Sequence, residues 1–420
     1  MVDTKKIIKD CLKGKSFLIT GAAGVGKTYL VKKIYEELKE MGKNVALTST
    51  TGINALNLGG ITVHKLFGLQ NRSDMGYLGY MKSSFLFYGI SIRLSQVDVI
   101  IIDEVSMLRA DTFELIDEIL KQALKNDKPL GGKSIIFTGD FYQIAPVVKS
   151  YEKKKTQWLF ESPRWIDANI DVIILDEVFR QKDKKFIDFL QNIRVGNWNK
   201  SMEETIEKCK NNKLPEDTTI FFSTNDECDN WNNKKLSELK GEATKFEAEI
   251  HGKRNKKFAH DKESIGKDCI AKVELVLKPE TRVIAIVNDK NGEYVNGSVG
   301  VVKSCVNKKG EKSVTVLFEN KTKPIKLKPY TWIKYSFKGK KVASMKQIPL
   351  IPAYALTIHK SQGMTLDRAI VDCKNIFVSG QLYVALSRVK TIEWLKIKNF
   401  KKSQILVSPE VKKFYKQHSK

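Results

Sequence analysis

The sequence predicts an α/β protein built on parallel sheet, with a smaller β-rich module inserted late in the chain. Three observations predict it. Gly21-Ala22-Ala23-Gly24-Val25-Gly26-Lys27-Thr28 fits the phosphate-loop pattern G-x-x-x-x-G-K-[ST] and lies between an apolar run and a helical pattern. Short apolar runs alternate with helical stretches through residues 1–168. From about 272 to 347 that alternation gives way to short β-rich runs separated by Asn291-Gly292, Asn296-Gly297 and Lys309-Gly310.

Taken in order, Ser16–Thr20 reads as a buried strand and Tyr29–Met41 as a helix. A strand–loop–helix turns successive backbone N–H groups towards an anion at a helix N-terminus. The glycines let the backbone approach phosphates, Lys27 can reach the β/γ-phosphates, and the Thr28 hydroxyl can ligate Mg²⁺. Asn44–Thr48, Val97–Ile102 and Ser134–Phe137 carry apolar runs suited to strands buried on both faces. Leu69–Arg93 breaks the pattern. It is aromatic and glycine-containing without a clean period, and reads as an inserted subdomain or long loop.

A second α/β section starts at Asp171–Leu175, continues through helices Asp183–Gly196 and Ser201–Asn211 and strand Thr218–Phe222, and resumes with strand Ala369–Asp372 and helix Ser379–Leu386. Between them Arg282–Val287, Ser298–Val302, Ser313–Phe318 and Lys323–Leu327 predict a small antiparallel barrel. The expected domains are therefore 1–168, then 169–271 with 348–420, and the insert 272–347.

The chain of 420 residues carries a net charge of +25, which favours polyanionic partners. The charge is uneven. Residues 1–170 hold +6 of it and the rest +19, and 303–346 alone contains 13 lysines against two glutamates. Lysine greatly outnumbers arginine, so a lysine-rich proteome explains part of this. The six cysteines have no C-x-x-C spacing and indicate neither zinc nor a disulfide framework. His251, His260 and Cys269 are loosely grouped and read as surface or core residues. No signal peptide or transmembrane-length apolar run is seen. The expectation is a cytoplasmic protein of bacterial or phage origin with no membrane partner.

Val99-Ile-Ile-Ile-Asp103-Glu104 is an apolar strand ending in two carboxylates. Beside a phosphate loop, Asp103 would hold Mg²⁺ and Glu104 would orient and deprotonate the attacking water. Ile135–Gln143 is another strand running into polar groups, from which Gln143 could contact the γ-phosphate. Arg180 and Arg388 lie in the second α/β section, where a cation could neutralise transition-state charge from the facing domain.

Seven segments together resemble superfamily 1B DNA helicases, most closely the PIF-type family, with RecD-type and Dda-type relatives further off. They are GAAGVGKT (21–28), TSTTGINALNLGGITVHKLF (48–67), VIIIDEVSML (99–108), FTGDFYQIAPV (137–147), VFRQKDKKFIDFLQNIRVG (178–196), QIPLIPAYALTIHKSQGMTLD (347–367) and GQLYVALSRV (380–389). Asn296–Gly300 is similar to the family's signature at the start of its inserted barrel. The resemblance implies two RecA-like P-loop domains with ATP between them, an SH3-like β-barrel in the second and a small wedge subdomain, about 69–93, in the first. It implies ATP and Mg²⁺ as cofactors, and single-stranded DNA and strand junctions as partners of a translocating monomer. The implied activity is ATP-dependent 5′→3′ DNA unwinding in replication, repair, recombination or genome maintenance.

By the same resemblance Gly24, Val25, Gly26, Lys27 and Thr28 bind phosphates and Mg²⁺, Asp103 and Glu104 take metal and base roles, and Gln143 senses the γ-phosphate. Arg180 and Arg388 act as arginine fingers. Gln362 and Gly363 couple the strand contacts to nucleotide. Thr50, Thr51 and His64 touch the strand from the first domain, and Thr357, His359 and Lys360 from the second. Tyr77, Tyr80 and Phe85 are candidates for splitting a junction. One departure stands out. These helicases usually carry an adenine-reading glutamine shortly before the phosphate loop, whereas the first glutamine here is Gln70 and Cys11, Leu12 and Lys13 occupy that neighbourhood. Base preference is left open by this. An ATP-gated nucleic-acid switch and an RNA-directed helicase also stay open, since no residue settles sugar preference.

Overall fold

The computed structural model describes residues 3–69, 79, 85–146, 158–252, 265–266, 269–289, 291–308, 311–319, 321–335 and 341–418. Tyr77, Tyr80, His260 and the lysine run 153–155 lie outside them. The chain divides into two compact units. The first runs to Arg180 and takes back the C-terminal segment from Ser408; the second holds Gln181–Lys334 and Lys341–Val407.

The first unit is a six-stranded parallel sheet. Its strands are β1 (Phe17–Gly21), β2 (Val45–Ser49), β3 (Ile61–Thr62), β4 (Val99–Asp103), β5 (Ser134–Gly139) and β6 (Asp171–Leu175), in the spatial order β3–β2–β4–β5–β1–β6. Every residue of β1, β4 and β5 is buried, as their unbroken apolar runs require of strands covered on both faces. Helices Thr4–Cys11 and Lys27–Glu40 cover one face: Ile7, Ile8, Val31, Ile34 and Leu38 pack with Phe17, Ile19, Ile101 and Ile136. The register sets Ser49 beside Asp103, and Thr20 beside Gly139. The carboxyl ends of these strands thus meet at one edge, where ligands bind in open parallel sheets.

Three expectations change. Asp171–Leu175 does not open the second α/β section. It pairs in parallel with β1, from Phe17 beside Asp171 to Gly21 beside Leu175, and is the edge strand of the first sheet. The C-terminal helix Pro409–His418 likewise belongs to the first unit, because Phe414 packs on Phe141, Phe160 and Trp165. The stretch read as an inserted subdomain or long loop is not all loop: it runs into an 11-residue helix, Phe85–Ser95, whose Ile90 and Leu94 are fully buried and which packs against helix Ala110–Leu124. Its FLFYGISI run is apolar all round, which hides the helical period.

The second unit has its own parallel sheet, ordered Ala355–Thr357, Ile220–Phe222, Ala369–Asp372, Leu395–Lys398. Helices Lys184–Val195 and Lys200–Asn211 fall where expected; the first starts at the Asp183 cap and ends at Gly196 in the left-handed region. The β-rich part is antiparallel. Five strands run Ile325–Leu327, Glu311–Phe318, Val299–Lys308, Arg282–Ala285, Leu350–Pro352. They share a core with Thr244–Glu247 and Glu274–Leu277, through Phe246, Leu275, Val283, Val302, Val316 and Leu350. This part begins earlier than the expected residue 272, since strands from 244 onward supply apolar residues to its core. No helix among the described residues is long and apolar enough to cross a membrane.

Candidate active site

The phosphate loop leaves β1 at Gly21 and enters helix Lys27–Glu40, whose cap Gly26 has φ +82°. Gly21 and Gly24 have positive φ as well, at +150° and +85°. Lys27 folds its ammonium back over the loop, donating to the Gly21 and Ala22 carbonyls at 2.8 Å each. Val25 is buried, and Thr28 is exposed beside it at the start of the helix.

Arg180 stands against this loop from its own unit. The backbone N–H of Phe179 donates to the Gly24 carbonyl at 2.9 Å, and a Cβ at Gly24 would come within 2.6 Å of the Arg180 Cβ. The expectation that Arg180 faces the loop from the other domain is corrected by this. The reason is the strand β6, which carries the segment 176–180 straight onto the loop.

Asp103 ends β4 and is buried. Burial first, and then the neighbouring Glu104 carboxylate, push its carboxyl up to about 7, while Lys27 pulls it down. Glu104 has φ +56° and ψ +47°, the left-handed region that a side chain with a Cβ rarely occupies. Holding a residue there costs roughly 1–3 kcal/mol, and such strain clusters at functional sites. The strain is held by Thr50, whose N–H donates to the Asp103 carbonyl at 3.2 Å and whose hydroxyl donates to the Glu104 carbonyl at 2.8 Å. Gln143 is buried on the turn after β5, its N–H donating to the Asp140 carbonyl at 2.9 Å.

The oxygen donors fit a magnesium nucleotide. A hydroxyl, Thr28, and a carboxylate, Asp103, are hard ligands, and a carboxyl lifted towards 7 by burial is the group a nearby cation would return to its ionised form. Among the described residues no three or more His, Cys, Asp or Glu side chains cluster as a metal cage. Mg²⁺ commonly takes one or two carboxylates plus phosphate oxygens and needs none.

The other expected residues fall into two groups. Thr51 caps helix Gly52–Asn57, accepting from the Asn54 N–H. His64 is exposed on helix Val63–Phe67, whose end is held by Arg93 donating to the Lys65 and Leu66 carbonyls at 2.7 and 3.0 Å. In the second unit Thr357 ends a strand and its hydroxyl accepts the Lys360 N–H at 3.3 Å. His359 is half-buried, and burial lowers its imidazole below the ordinary value, so it is neutral at pH 7. The Gln362 N–H donates to the His359 carbonyl, and Gly363 follows at φ +81°.

Arg388 is buried at the end of helix Gln381–Leu386, donating to the Val384 carbonyl and the Ser387 hydroxyl at 2.8 Å each. An open groove in the antiparallel part is lined by Lys308, Lys312, Lys326, Lys328 and Lys346 with Glu249 and Glu311, a local excess of positive charge. Sequence reasoning missed Tyr415, whose hydroxyl reaches Thr20, Asp140 and Phe141 at this site. Its only signal was the apolar spacing of Val411, Phe414 and Tyr415 on the last helix.

Comparison with known proteins agrees with this arrangement. The family model described as PIF1-like helicase matches residues 3–204. The chain is 32% identical to the ATP-dependent DNA helicase Pif1 of Campylobacter jejuni, over 96% of this chain and 94% of that protein. It is 31% identical to human ATP-dependent DNA helicase PIF1 over 97% of this chain, spanning 62% of that longer protein. Among solved structures it is similar to Pif1 from Bacteroides, both unliganded (28% identity, TM-score 0.84, covering 100% of this chain and 97% of that one) and in complex with ADP-AlF3 and ssDNA (28%, TM-score 0.68, 100% and 96%). On these matches the chain belongs to the PIF1-like helicase family.

Proposed function

We propose that this chain is an ATP-dependent DNA helicase that moves 5′→3′ along single-stranded DNA and unwinds duplex. The observation that carries the reading is the join at β4. Asp103 and Glu104, beside the phosphate loop, are bonded through their backbone carbonyls to Thr50, which opens the segment proposed to touch the strand. A change at the strand contact therefore reaches the proposed base through two hydrogen bonds. The names and bound ligands of the relatives support the activity and its use of nucleotide and DNA.

In this reading both units are RecA-like, the antiparallel part, which takes in the strands from Thr244–Glu247 to Leu350–Pro352, is an SH3-like barrel, and the segment 69–93 forms a wedge subdomain. Gly24, Val25, Gly26 and Lys27 hold the phosphates. Thr28 and Asp103 hold Mg²⁺, which supplies charge neutralisation on the phosphates when bound. Glu104 takes a proton from the attacking water, and its strained backbone aims the carboxylate. Gln143 reports the γ-phosphate. Arg180 beside the loop, and Arg388 from the second unit, neutralise charge that develops on the transferred group. Thr50, Thr51, His64, Thr357, His359 and Lys360 hold the strand. Gln362 and Gly363 link that hold to nucleotide. The lysine-lined groove adds phosphate contacts of the kind that make affinity fall with salt.

Two variants test the site. Lys27→Ala should abolish DNA-stimulated ATP hydrolysis. Glu104→Gln should keep nucleotide binding and slow turnover by roughly 10²-fold or more, the loss expected for a positioned base. Near-normal turnover in both would remove this site from the mechanism.

A further inference from the structure

The strand-end turn that carries Gln143 is held by a residue 272 positions further along the chain. Tyr415, on the C-terminal helix Pro409–His418, is buried with its hydroxyl inside the first unit's site. That hydroxyl donates to Asp140 Oδ1 at 3.2 Å and accepts the Phe141 N–H at 3.2 Å. Its remaining lone pair faces the Thr20 hydroxyl, one residue before the phosphate loop. A phenol has one proton to give and two lone pairs, so all its capacity is used. Asp140 and Thr20 are fully buried. Asp140 Oδ1 also accepts the Tyr142 N–H at 3.1 Å, and the Asp140 carbonyl accepts the Gln143 N–H at 2.9 Å. The ring stacks on Tyr142, centroids 4.7 Å apart and 13° from parallel. One hydroxyl thus ties the end of β1 to the whole 140–143 turn.

We infer that Tyr415 is a positioning residue for ATP hydrolysis: it fixes Gln143 relative to the phosphate loop, and the C-terminal helix is a working part of the nucleotide site. The inference rests on the proposed hydrolytic role of that site. A buried polar network of this kind specifies one arrangement only while every member is satisfied. Removing the phenol oxygen leaves the Phe141 N–H and one bond of the Asp140 carboxylate unmet in the interior, and the turn is free to shift. The aromatic packing stays.

Phe414, one residue earlier, separates this role from simple docking of the helix. It packs on Phe141 at 5.3 Å and on Phe160 at 4.4 Å but offers no hydrogen bond. The test compares Tyr415→Phe, Phe414→Leu and Glu104→Gln in the full chain. The readouts are steady-state ATPase with saturating single-stranded DNA, well below each variant's Tm, together with Tm itself. Tyr415→Phe should lower kcat by about fivefold or more, the rate equivalent of one oriented hydrogen bond, with KM for ATP changed less than twofold. Phe414→Leu should lower Tm at least as much and leave kcat within twofold.

Unchanged kcat in Tyr415→Phe, with Glu104→Gln impaired, overturns the inference and leaves the site standing. Full activity in Glu104→Gln overturns the hydrolytic reading beneath it. Equal loss of kcat in Tyr415→Phe and Phe414→Leu overturns the special role of the hydroxyl. If Tyr415→Phe fails to fold, Thr20→Val removes one of the same bonds, and normal kcat and KM in that variant overturn the inference.

Discussion

A single methyl group tests the placement of Arg180 on the phosphate loop. Gly24→Ala adds a Cβ at φ +85°, and that carbon would lie 2.6 Å from the Arg180 Cβ. Two costs follow. Left-handed backbone with a Cβ costs about 1–2 kcal/mol. Non-bonded carbons prefer about 3.5–4.0 Å, so loop and arginine must also move apart, an overpacking cost of about 1–3 kcal/mol. Gly42 supplies the control: its φ is +72°, and a Cβ there meets nothing within 4 Å. Gly42→Ala should therefore show the backbone cost alone.

For a unit of this size each kcal/mol moves Tm by about 2–4 °C. Gly24→Ala should fall by about 4–20 °C and Gly42→Ala by about 2–8 °C. Replacing Arg180 by glycine removes the colliding carbon. In a double-mutant cycle Arg180→Gly should recover about 1–3 kcal/mol of the Gly24→Ala loss, and none of the Gly42→Ala loss. Thermal denaturation and titration with a fluorescent ADP analogue read both effects. Equal losses at Gly24 and Gly42, or no recovery with Arg180→Gly, would refute the packing of Arg180 on the loop.

Two further outcomes are expected. Asp103 titrates at about 7 in the folded chain against an ordinary 3.8, so across that window the folded state holds a proton the unfolded state has lost. Its contribution to stability is complete below about 3.8 and is lost as pH rises through 7; without nucleotide, Asp103→Asn should flatten the fall in unfolding midpoint between pH 5 and 8, and a variant that falls as steeply as the parent would contradict this. Arg388→Lys keeps a charge but loses the planar fork, so kcat should drop by at least roughly 10²-fold with a smaller change in nucleotide affinity, measured by single-turnover hydrolysis and equilibrium titration; wild-type kcat would exclude a finger role.

Much of the first unit was legible because its signals are local. The phosphate loop is eight consecutive residues, and β1, β4 and β5 are short apolar runs bounded by turn residues. The helix Lys184–Val195 carries its own cap residues, Asp183 and Gly196. What could not be read depends on pairing between distant residues. Nothing inside Asp171–Leu175 says which sheet it joins; its partner β1 lies about 150 residues earlier. Placing that strand in the wrong unit also put Arg180 across from the loop it touches.

Helix Phe85–Ser95 was hidden by apolar residues on every side. Glu104 at positive φ has no sequence signal, since glycine or asparagine is the usual occupant of that region. Tyr415 carries a helical period that says it is buried, but not against what. The strand-touching residues were named from resemblance, and the structure adds what their backbone does: Thr50 braces Glu104, and Thr357 caps the turn leading to Lys360.

In the proposed function the protein uses ATP to unwind duplex from a 5′ tail. The most direct measurement presents the full chain with matched duplexes bearing a 5′ single-stranded tail, a 3′ tail or blunt ends, with and without ATP and Mg²⁺, and follows strand separation in a single-turnover mixing experiment. The 5′-tailed duplex should separate only with ATP, the 3′-tailed and blunt duplexes little, and Lys27→Ala should separate none. Preferential opening of the 3′-tailed duplex, or no opening of any duplex by a chain that hydrolyses ATP, would contradict the proposed function.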